Sequence, residues 1–223
     1  MEIEAFVWRT YHRISAQFRA RRRFGFNELF PAENYRCLLD VGGTVKFWND
    51  YEDRDVTIVN LAEDIGYDDV RVVRADGCNL PYGDASFPLV FSNSTLEHVG
   101  VREKQWEFAG ELRRVGQTLY CQTPNRWFPF EVHYLCLFVH WWPRLLRNHF
   151  VVRYLTGWGW IVRPDRKAVS DYADYVNLLT ANEMRAMFPD CELVREKFLG
   201  LTKSFIAVRP SAGTSAAKAL RAA

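Results

Sequence analysis

The sequence predicts a doubly wound α/β fold, in which a mostly parallel seven-stranded sheet carries helices on both faces and ends in an antiparallel hairpin. Three observations predict it. Short runs of β-branched and apolar residues alternate with a stretch of helical periodicity, which is typical of parallel sheets with crossover helices. The first run ends in Gly42 and Gly43, where a tight turn is needed. The last two runs are separated by Leu199-Gly200, which indicates a hairpin.

The remaining elements follow from periodicity and capping patterns. The seven predicted strands cover residues 37–41, 56–61, 70–73, 89–91, 118–122, 192–198 and 203–208. A helix is predicted over 103–115, and its apolar face consists of Trp106, Ala109, Leu112 and Val115. Gly116 follows it at the position of a C-terminal cap. Thr180-Ala-Asn-Glu183 has the pattern of a capping box and predicts another helix, which continues through Met187.

Three segments divide the chain. We predict a basic amphipathic N-terminal helix within residues 1–30, one domain over 31–210 and a disordered tail over 211–223. The N-terminal helix has apolar residues at helical spacing with arginines between them, so it either packs on the domain or lies on an anionic membrane surface. Within the domain, an aromatic-rich insertion at about 123–175 interrupts the alternation of strands and helices.

Composition and charge exclude several classes of protein. The chain has 48% hydrophobic and 25% charged residues, as an ordinary globular protein does. A net charge of +2 without a basic stripe beyond the N-terminal helix predicts no nucleic-acid partner. The five cysteines form no CxxC pair and no Cys/His zinc spacing, so we predict reduced thiols and no metal site.

The pattern of apolar residues bears on localisation. The sequence begins Met-Glu-Ile-Glu, which lacks the basic-then-apolar pattern of a signal peptide. A run of about 18 apolar residues, the length that a membrane span needs, is also missing. We therefore expect a cytoplasmic protein, with peripheral contact at the inner face of the membrane as the alternative. The oligomeric state stays open.

The glycine turn after the first strand lies where doubly wound folds bind ligands. A dinucleotide site needs G-x-G-x-x-G, whereas the sequence here is Gly42-Gly43-Thr44-Val45-Lys46-Phe47. The pattern of a P-loop is also missing, because no Gly-Lys-Ser/Thr follows. A nicotinamide-dependent oxidoreductase is therefore disfavoured, and the turn must serve another ligand.

Five segments in order carry a resemblance to a known family. They are Leu38-Leu-Asp-Val-Gly-Gly-Thr44, Val56–Leu61, Ala75-Asp-Gly-Cys-Asn-Leu-Pro-Tyr82, Ser86–Ser94 and Leu96-Glu-His-Val99. From about residue 36 to residue 122, the chain resembles the class I S-adenosylmethionine-dependent methyltransferases, and within them it is most similar to the methyltransferase type 11 group. The segments Gln122–His133 and Arg195–Phe205 resemble a bacterial branch of that group.

The resemblance implies S-adenosylmethionine as the cofactor and a role for each matching position. The amino-acid end of the cofactor would be held by Asp40, Gly42, Gly43 and Thr44. The ribose would lie at Asn60, and the adenine at Asp76, with Gly77 and Cys78 beside the ring. Ser92, Asn93 and Ser94 would face the methyl group and the acceptor.

The sequence departs from the family pattern at three positions. Asn60 stands where an acidic residue is common, so a side-chain amide would have to hydrogen-bond the ribose hydroxyls instead of a carboxylate. Thr44 replaces the second glycine of the usual G-x-G, and Pro88 replaces a frequent Asp at the start of the fourth strand. The departures leave a non-catalytic binding protein of the same fold as an alternative.

Two histidines are the candidates for acid–base work. His98 follows Glu97 at a transition from loop to helix, and the alternative for it is a role in packing. His133 lies in the insertion, where Glu131 is an equally plausible candidate, and a salt bridge inside the insertion is the alternative for both residues. Methyl transfer from a sulfonium needs a base only when the acceptor is protonated, so both assignments are open.

The acceptor is not specified by any motif. The insertion carries many Trp, Tyr and Phe residues with interleaved arginines, which fits either the packed core of a cap or a lid over a lipid-linked or aromatic acceptor. We expect the acceptor to be a small molecule or a lipid- or glycan-linked metabolite.

Overall fold

The structure is a computed structural model, and it describes residues 20, 22–49, 51, 53–61, 71–131, 133–143, 146–147 and 149–211. Most of the predicted N-terminal amphipathic helix and nearly all of the predicted C-terminal tail therefore lie outside the described residues. Of the N-terminal segment, residues 22–29 are helical, and we call this helix α1.

A seven-stranded sheet forms the centre of the molecule, as the sequence predicts. Its strands are β1 (Cys37–Val41), β2 (Asp55–Asn60), β3 (Arg71–Arg74), β4 (Phe87–Asn93), β5 (Gly116–Pro124), β8 (Glu192–Phe198) and β9 (Leu201–Arg209). Their order is β3-β2-β1-β4-β5-β9-β8. The first five run parallel, and β9 pairs antiparallel with β5 and with β8. Because the chain reverses its direction of winding between β1 and β4, a crevice is expected at the carboxyl ends of these two strands.

Seven helices accompany the sheet in the described part of the chain. After α1 they are α2 (Val45–Trp48), α3 (Arg102–Val115), α4 (His149–Leu155), α5 (Gly157–Val162), α6 (Arg166–Tyr175) and α7 (Ala181–Met187). The predicted capping box is present at the start of α7, where the Thr180 and Glu183 side chains each accept a backbone hydrogen bond. In the same described ranges, no helix is long and apolar enough to cross a membrane.

The two faces of the sheet carry separate cores, because successive side chains of a strand point to opposite faces. On one face Leu39, Val90 and Leu119 pack against α3 and α7. On the other face Leu38, Leu89 and Phe91 pack against α1 and α2, which contribute Phe26 and Trp48. Strands covered on both faces explain why the predicted runs are continuously apolar.

The buried face of α3 differs from the predicted one. Ala109, Leu112 and Val115 are buried as expected, but Trp106 is 46% exposed. Phe108 takes the buried position on this face instead. Trp106 was assigned to the buried face because it precedes Ala109 by three residues. That spacing is also found for residues at the edge of an apolar stripe, where a side chain is partly exposed.

The insertion is more regular than its sequence indicates. It contains a two-stranded ladder of β6 (Phe130–Glu131) and β7 (Cys136–Leu137), followed by α4, α5 and α6. Its own small core consists of Tyr134, Val139, Val152 and Val169. The helices were hidden from periodicity because many of their large apolar side chains are exposed.

Candidate functional site

The turn that follows β1 admits only glycine at two successive positions. Gly42 has φ +86°, and a Cβ added there would lie 2.2 Å from the Thr95 side chain. A Cβ on Gly43 would lie 1.6 Å from Oδ2 of Asp40. The Gly42 N–H donates to the Val59 carbonyl at 2.7 Å, which fastens the turn to the end of β2. The backbone is therefore folded tightly around the Asp40 carboxyl group.

Asp40 is the buried acid at the centre of this turn. Its side chain is only 1% exposed, and Oδ2 accepts a hydrogen bond from Trp48 Nε1 at 2.6 Å. Within the described residues, Oδ1 is buried and has no hydrogen-bond partner. Burial raises the pKa of Asp40 to about 7, and the bond from Trp48 offsets part of that rise. A cation beside Oδ1 would restore the ionised form.

Asn60 closes the turn from the side of β2. Its Nδ2 donates to the Gly43 carbonyl at 2.8 Å, a bond that an Asp or Glu at this position would not be able to make when ionised. The departure from the family pattern therefore has a local reason. Thr44 is exposed and makes no capping hydrogen bond with its side chain at the start of α2.

The loop after β3 is held in place by α3. Asp76 Oδ1 accepts from the Cys78 N–H at 2.9 Å, and a Cβ on Gly77 would lie 2.5 Å from the Phe108 ring. The Leu80 N–H donates to Glu111 at 2.7 Å, and Glu111 in turn binds Arg114. Burial raises the pKa of the Cys78 thiol to about 12, so this side chain is neutral.

The polar residues at the end of β4 are each bonded within the fold. Ser92 is fully buried and donates to the Val41 carbonyl at 2.9 Å, which ties β4 to β1. Asn93 accepts from Arg22 of α1 at 2.9 Å. Ser94 donates to Gln122 of β5 at 2.8 Å. Contact of these residues with a cofactor or an acceptor stays a prediction.

The structure brings the two candidate histidines together. His98 lies in a short 3-10 turn, Leu96–His98, directly after β4. Its Nε2 is 3.2 Å from Nε2 of His133, which lies 35 positions further along the chain in the insertion. The other ring nitrogen of His133, Nδ1, is 2.5 Å from Glu131 Oε1. The alternative of a salt bridge inside the insertion is therefore present as the Glu131–His133 pair, which also contacts His98.

Glu97 is the fourth member of this cluster and contacts the end of β5. It is fully buried, and its Oε2 accepts from Thr123 Oγ1 at 2.8 Å, at the end of β5. Its Oε1 lies 3.9 Å from His98 Nε2. Thr95, which packs on the Gly42 turn, precedes Glu97 by two positions. The cluster of Glu97, His98, Glu131 and His133, which we call the histidine cluster, thus lies at the carboxyl edge of the sheet beside the glycine turn.

Burial and mutual charge set the protonation of the histidine cluster. Burial raises the pKa of Glu97 to about 7, and it lowers the pKa of His98 to about 4 together with the nearby His133. Burial also acts against ionisation of Glu131 and His133, but the bond between them outweighs it. The pKa of Glu131 is accordingly lowered and that of His133 raised. Glu131 and His133 therefore behave as an ion pair, next to a neutral His98.

Two members of the site were not identified from the sequence. Trp48 binds Asp40 across an eight-residue separation that has no periodic signal. Glu97 was noted as the neighbour of His98, but its burial at the end of β5 was not foreseen. The unusual Leu-Glu-His order after a strand was the available signal for Glu97, because an acid between apolar neighbours needs a partner when buried.

Comparison with known proteins bears on the family. A sequence model described as "Methyltransferase domain" matches residues 48–118. No curated protein matches the chain in sequence. The matched region begins at Trp48 and includes the Asp76 loop and β4, which were among the segments that carry the resemblance, and it continues through α3.

Solved structures share the fold at low sequence identity. An S-adenosylmethionine-dependent methyltransferase from Mesorhizobium loti has 14% identity and a TM-score of 0.50, with 82% of this chain and 94% of that chain covered. The PH0226 protein from Pyrococcus horikoshii has 14% identity and a TM-score of 0.50, over 85% and 89% of the two chains. A Rhodobacter sphaeroides protein named for zinc-dependent alcohol dehydrogenases has 10% identity and a TM-score of 0.52, over 83% and 87%. These likenesses establish the fold, and the chemistry has to be argued from the site.

Proposed function

We propose that the chain, which a methyltransferase-domain model matches over residues 48–118, transfers the methyl group of S-adenosylmethionine to an acceptor. The observation that carries this proposal is the glycine turn folded around Asp40. A Cβ at Gly43 would overlap the Asp40 carboxyl group, and the second oxygen of that group is buried with no partner among the described residues.

The residues of the turn fit the amino-acid end of the cofactor. A buried carboxyl group with an unpaired oxygen and a pKa of about 7 gains a charge-assisted hydrogen bond when an ammonium group is placed beside it. The Gly42 N–H is used by the sheet, which leaves the Gly43 and Thr44 N–H groups as the backbone donors for the cofactor carboxylate. Asp76 lies on the loop after β3, where the resemblance places the adenine amino group.

Methyl transfer requires little acid–base chemistry from the protein. The sulfonium of the bound cofactor supplies a methyl group that is already activated for in-line displacement. Positioning of the acceptor and exclusion of water are then the main contributions of the chain. The buried turn and the fastened Asp76 loop provide a fixed cofactor position.

The acceptor would bind at the histidine cluster. This cluster lies beside the glycine turn, and the insertion contributes His133, which contacts His98 after β4. Glu131 holds Nδ1 of His133, and Nε2 of His133 lies 3.2 Å from Nε2 of His98, so the two imidazoles face each other. An acceptor hydroxyl or amine would be oriented there by these nitrogens.

The surface of the insertion suggests an amphiphilic acceptor. Large aromatic side chains are exposed along it, including Trp127 at 60%, Phe150 at 66% and Trp160 at 58%. Arg153 lies over the ring of Tyr154, so cationic groups border the aromatic surface. We propose that the acceptor is a lipid- or glycan-linked metabolite and that the insertion contacts the membrane surface that holds it.

A non-catalytic binding protein is the second candidate function. It is favoured by the departures from the family pattern at Thr44, Asn60 and Pro88. Such a protein would bind the cofactor or its product and transfer nothing.

Incubation of the purified chain with S-adenosylmethionine carrying a labelled methyl group and a bacterial extract separates the two candidates. The enzyme transfers label to an extractable acceptor, and the Gly43→Ala variant transfers none. If label stays in the cofactor while the cofactor itself binds, the non-catalytic function is correct.

A further inference from the structure

Three side chains of the histidine cluster converge on one point. Ligand atoms of Glu97, His98 and His133 all lie within 4.8 Å of one another. The closest pair is His98 Nε2 and His133 Nε2 at 3.2 Å, and Glu97 Oε1 lies 3.9 Å from His98 Nε2. The cluster brings together residues that follow β4 and a residue of the insertion. These two parts of the chain are distant in sequence, so only the tertiary fold brings their side chains into contact.

Glu97 is the observation that points to a bound cation. Its side chain is fully buried, and Thr123 satisfies only Oε2. Oε1 is buried without a hydrogen-bond partner within the described ranges, and it is the oxygen that faces His98. A carboxylate oxygen that is removed from water and left unpaired is costly, whereas a coordinated cation removes that cost.

Glu131 orients His133 in the manner that metal sites use. Metal-ligating histidines almost always give their other ring N–H to a carboxylate or carbonyl, which fixes the tautomer and directs the free lone pair to the metal. The Glu131 carboxylate holds Nδ1 of His133 at 2.5 Å, so a metal ion that displaces the Nε2 proton of this ion-paired imidazole would meet the Nε2 lone pair. That lone pair is directed at the same point as Nε2 of His98.

The spacing of the two imidazoles fits a common ion. Zinc–nitrogen bonds of about 2.0–2.1 Å in tetrahedral geometry place two nitrogen ligands about 3.3 Å apart. The observed separation of 3.2 Å agrees with this value, and a small rotation of the Glu97 carboxyl group would bring its oxygen into the same range. Two further contacts hold the ligands from α6 and the segment after it: Tyr175 stacks on the His98 ring with centroids 4.6 Å apart, and the Asn177 N–H donates to the Glu97 carbonyl.

We propose that Glu97, His98 and His133 bind a divalent transition-metal ion, with Glu131 as the outer partner of His133. Two imidazoles and one carboxylate are a donor set that zinc, iron(II) and manganese accept. Three protein ligands leave coordination positions open, as catalytic sites do. The use of an open position to hold an acceptor oxygen rests on the proposed methyltransferase function. This proposal replaces the prediction of no metal site, because that prediction was based only on the spacing of Cys and His residues in the sequence.

Cobalt(II) absorption tests the site, because its visible bands report both binding and coordination number. The chain is purified without a histidine tag, treated with a chelator and titrated with cobalt. We expect one equivalent to bind with saturable visible bands and one equivalent of zinc to displace it. His133→Gln and Glu97→Gln abolish the bands, and Glu131→Gln weakens binding by about 10–100-fold. His140→Gln is the matched control, since His140 binds the Arg126 carbonyl in the insertion and lies outside the cluster.

Thermal stabilisation by S-adenosylhomocysteine, measured on the same preparations, separates this proposal from the proposed function. We expect the His133→Gln variant to retain that stabilisation, which would also establish that this variant folds. If the Glu97→Gln variant is unstable, the cobalt result for His133→Gln decides whether the metal site exists. Wild-type protein that binds the nucleoside but shows no saturable cobalt bands overturns the metal site and leaves the methyltransferase. The site is also overturned if His133→Gln binds cobalt as wild type does, in which case the two imidazoles form a hydrogen-bonded pair without a metal. Cobalt binding without nucleoside binding leaves the metal site and overturns the methyltransferase.

Discussion

The glycine turn and the histidine cluster lie side by side at one edge of the sheet, but they are built in different ways. The turn is assembled from residues close in sequence, Asp40 to Trp48, with one bond from Asn60. The cluster joins Glu97 and His98 to a pair from the insertion, so its geometry depends on how that insertion folds. The difference teaches that the glycine turn is a local feature of the fold, whereas the histidine cluster also needs the insertion to fold onto the end of β4.

The largest effect is expected from Gly43→Ala. Its Cβ would lie 1.6 Å from Oδ2 of Asp40, so the turn has to open and the Asp40 carboxyl group has to move. We expect the affinity for S-adenosylhomocysteine to fall more than about 100-fold, which is ~3 kcal/mol. Isothermal calorimetry measures the change. Gly83→Ala is the control, because nothing lies within 4 Å of a Cβ there. Equal affinity in both variants would contradict the assignment of the turn.

Gly159→Ala tests the other side of the comparison. Its Cβ would lie 2.0 Å from the Val152 carbonyl oxygen and 2.6 Å from Arg153 Cα, so α4 and α5 have to separate. We expect faster amide hydrogen exchange over 149–162 and weaker cobalt binding, with the affinity for S-adenosylhomocysteine unchanged. Gly110→Ala in α3, where a Cβ meets nothing within 4 Å, is the control. Loss of nucleoside binding in Gly159→Ala would mean that the two sides are coupled.

A smaller effect is expected of pH on the affinity for S-adenosylhomocysteine, because Asp40 titrates. An ammonium group favours the ionised carboxyl group, so binding of S-adenosylhomocysteine releases a proton below the folded-state pKa of about 7. The affinity should therefore rise between pH 6 and pH 8 in wild type and stay flat in Asp40→Asn. Trp48→Phe removes the bond that lowers the pKa of Asp40 and should shift the rise to higher pH. A wild-type affinity independent of pH would refute contact between Asp40 and the ammonium group.

The stability of the free protein should show the opposite dependence. The Asp40 pKa rises from 3.8 to about 7 on folding, so the unfolded chain ionises first as the pH rises. The free energy of unfolding therefore decreases as the pH rises from about 4 to about 7, and the contribution is fully present only below that window. Asp40→Asn should remove this decrease, as measured by denaturant unfolding across the same pH range.

The smallest effect is expected for membrane contact. The exposed aromatic side chains of the insertion and the arginines of residues 1–23 should together hold the chain on vesicles that contain anionic phosphatidylglycerol. In flotation, the full chain should rise with the vesicles, a chain without residues 1–23 should rise less, and added salt should weaken both. If neither form floats, the aromatic surface packs or binds something other than a membrane.

Much of the fold was predictable, because the strands are local apolar runs and their ends carry polar residues. The sheet, the hairpin at Leu199-Gly200 and the capping box at Thr180 were all predicted correctly. The helices of the insertion were not, since their exposed aromatic residues remove the contrast between two faces that periodicity needs. A salt bridge inside the insertion was an alternative for Glu131 and His133, but the contact of His133 with His98 depends on tertiary structure and carries no sequence signal.

Calorimetric titration of the wild-type chain with S-adenosylhomocysteine, and in parallel with NADH, tests the central claim most directly. Both ligands contain adenosine, and doubly wound sheets bind ligands of this kind. The account predicts one equivalent of S-adenosylhomocysteine bound per chain and no heat from NADH. Binding of NADH without binding of S-adenosylhomocysteine would contradict it.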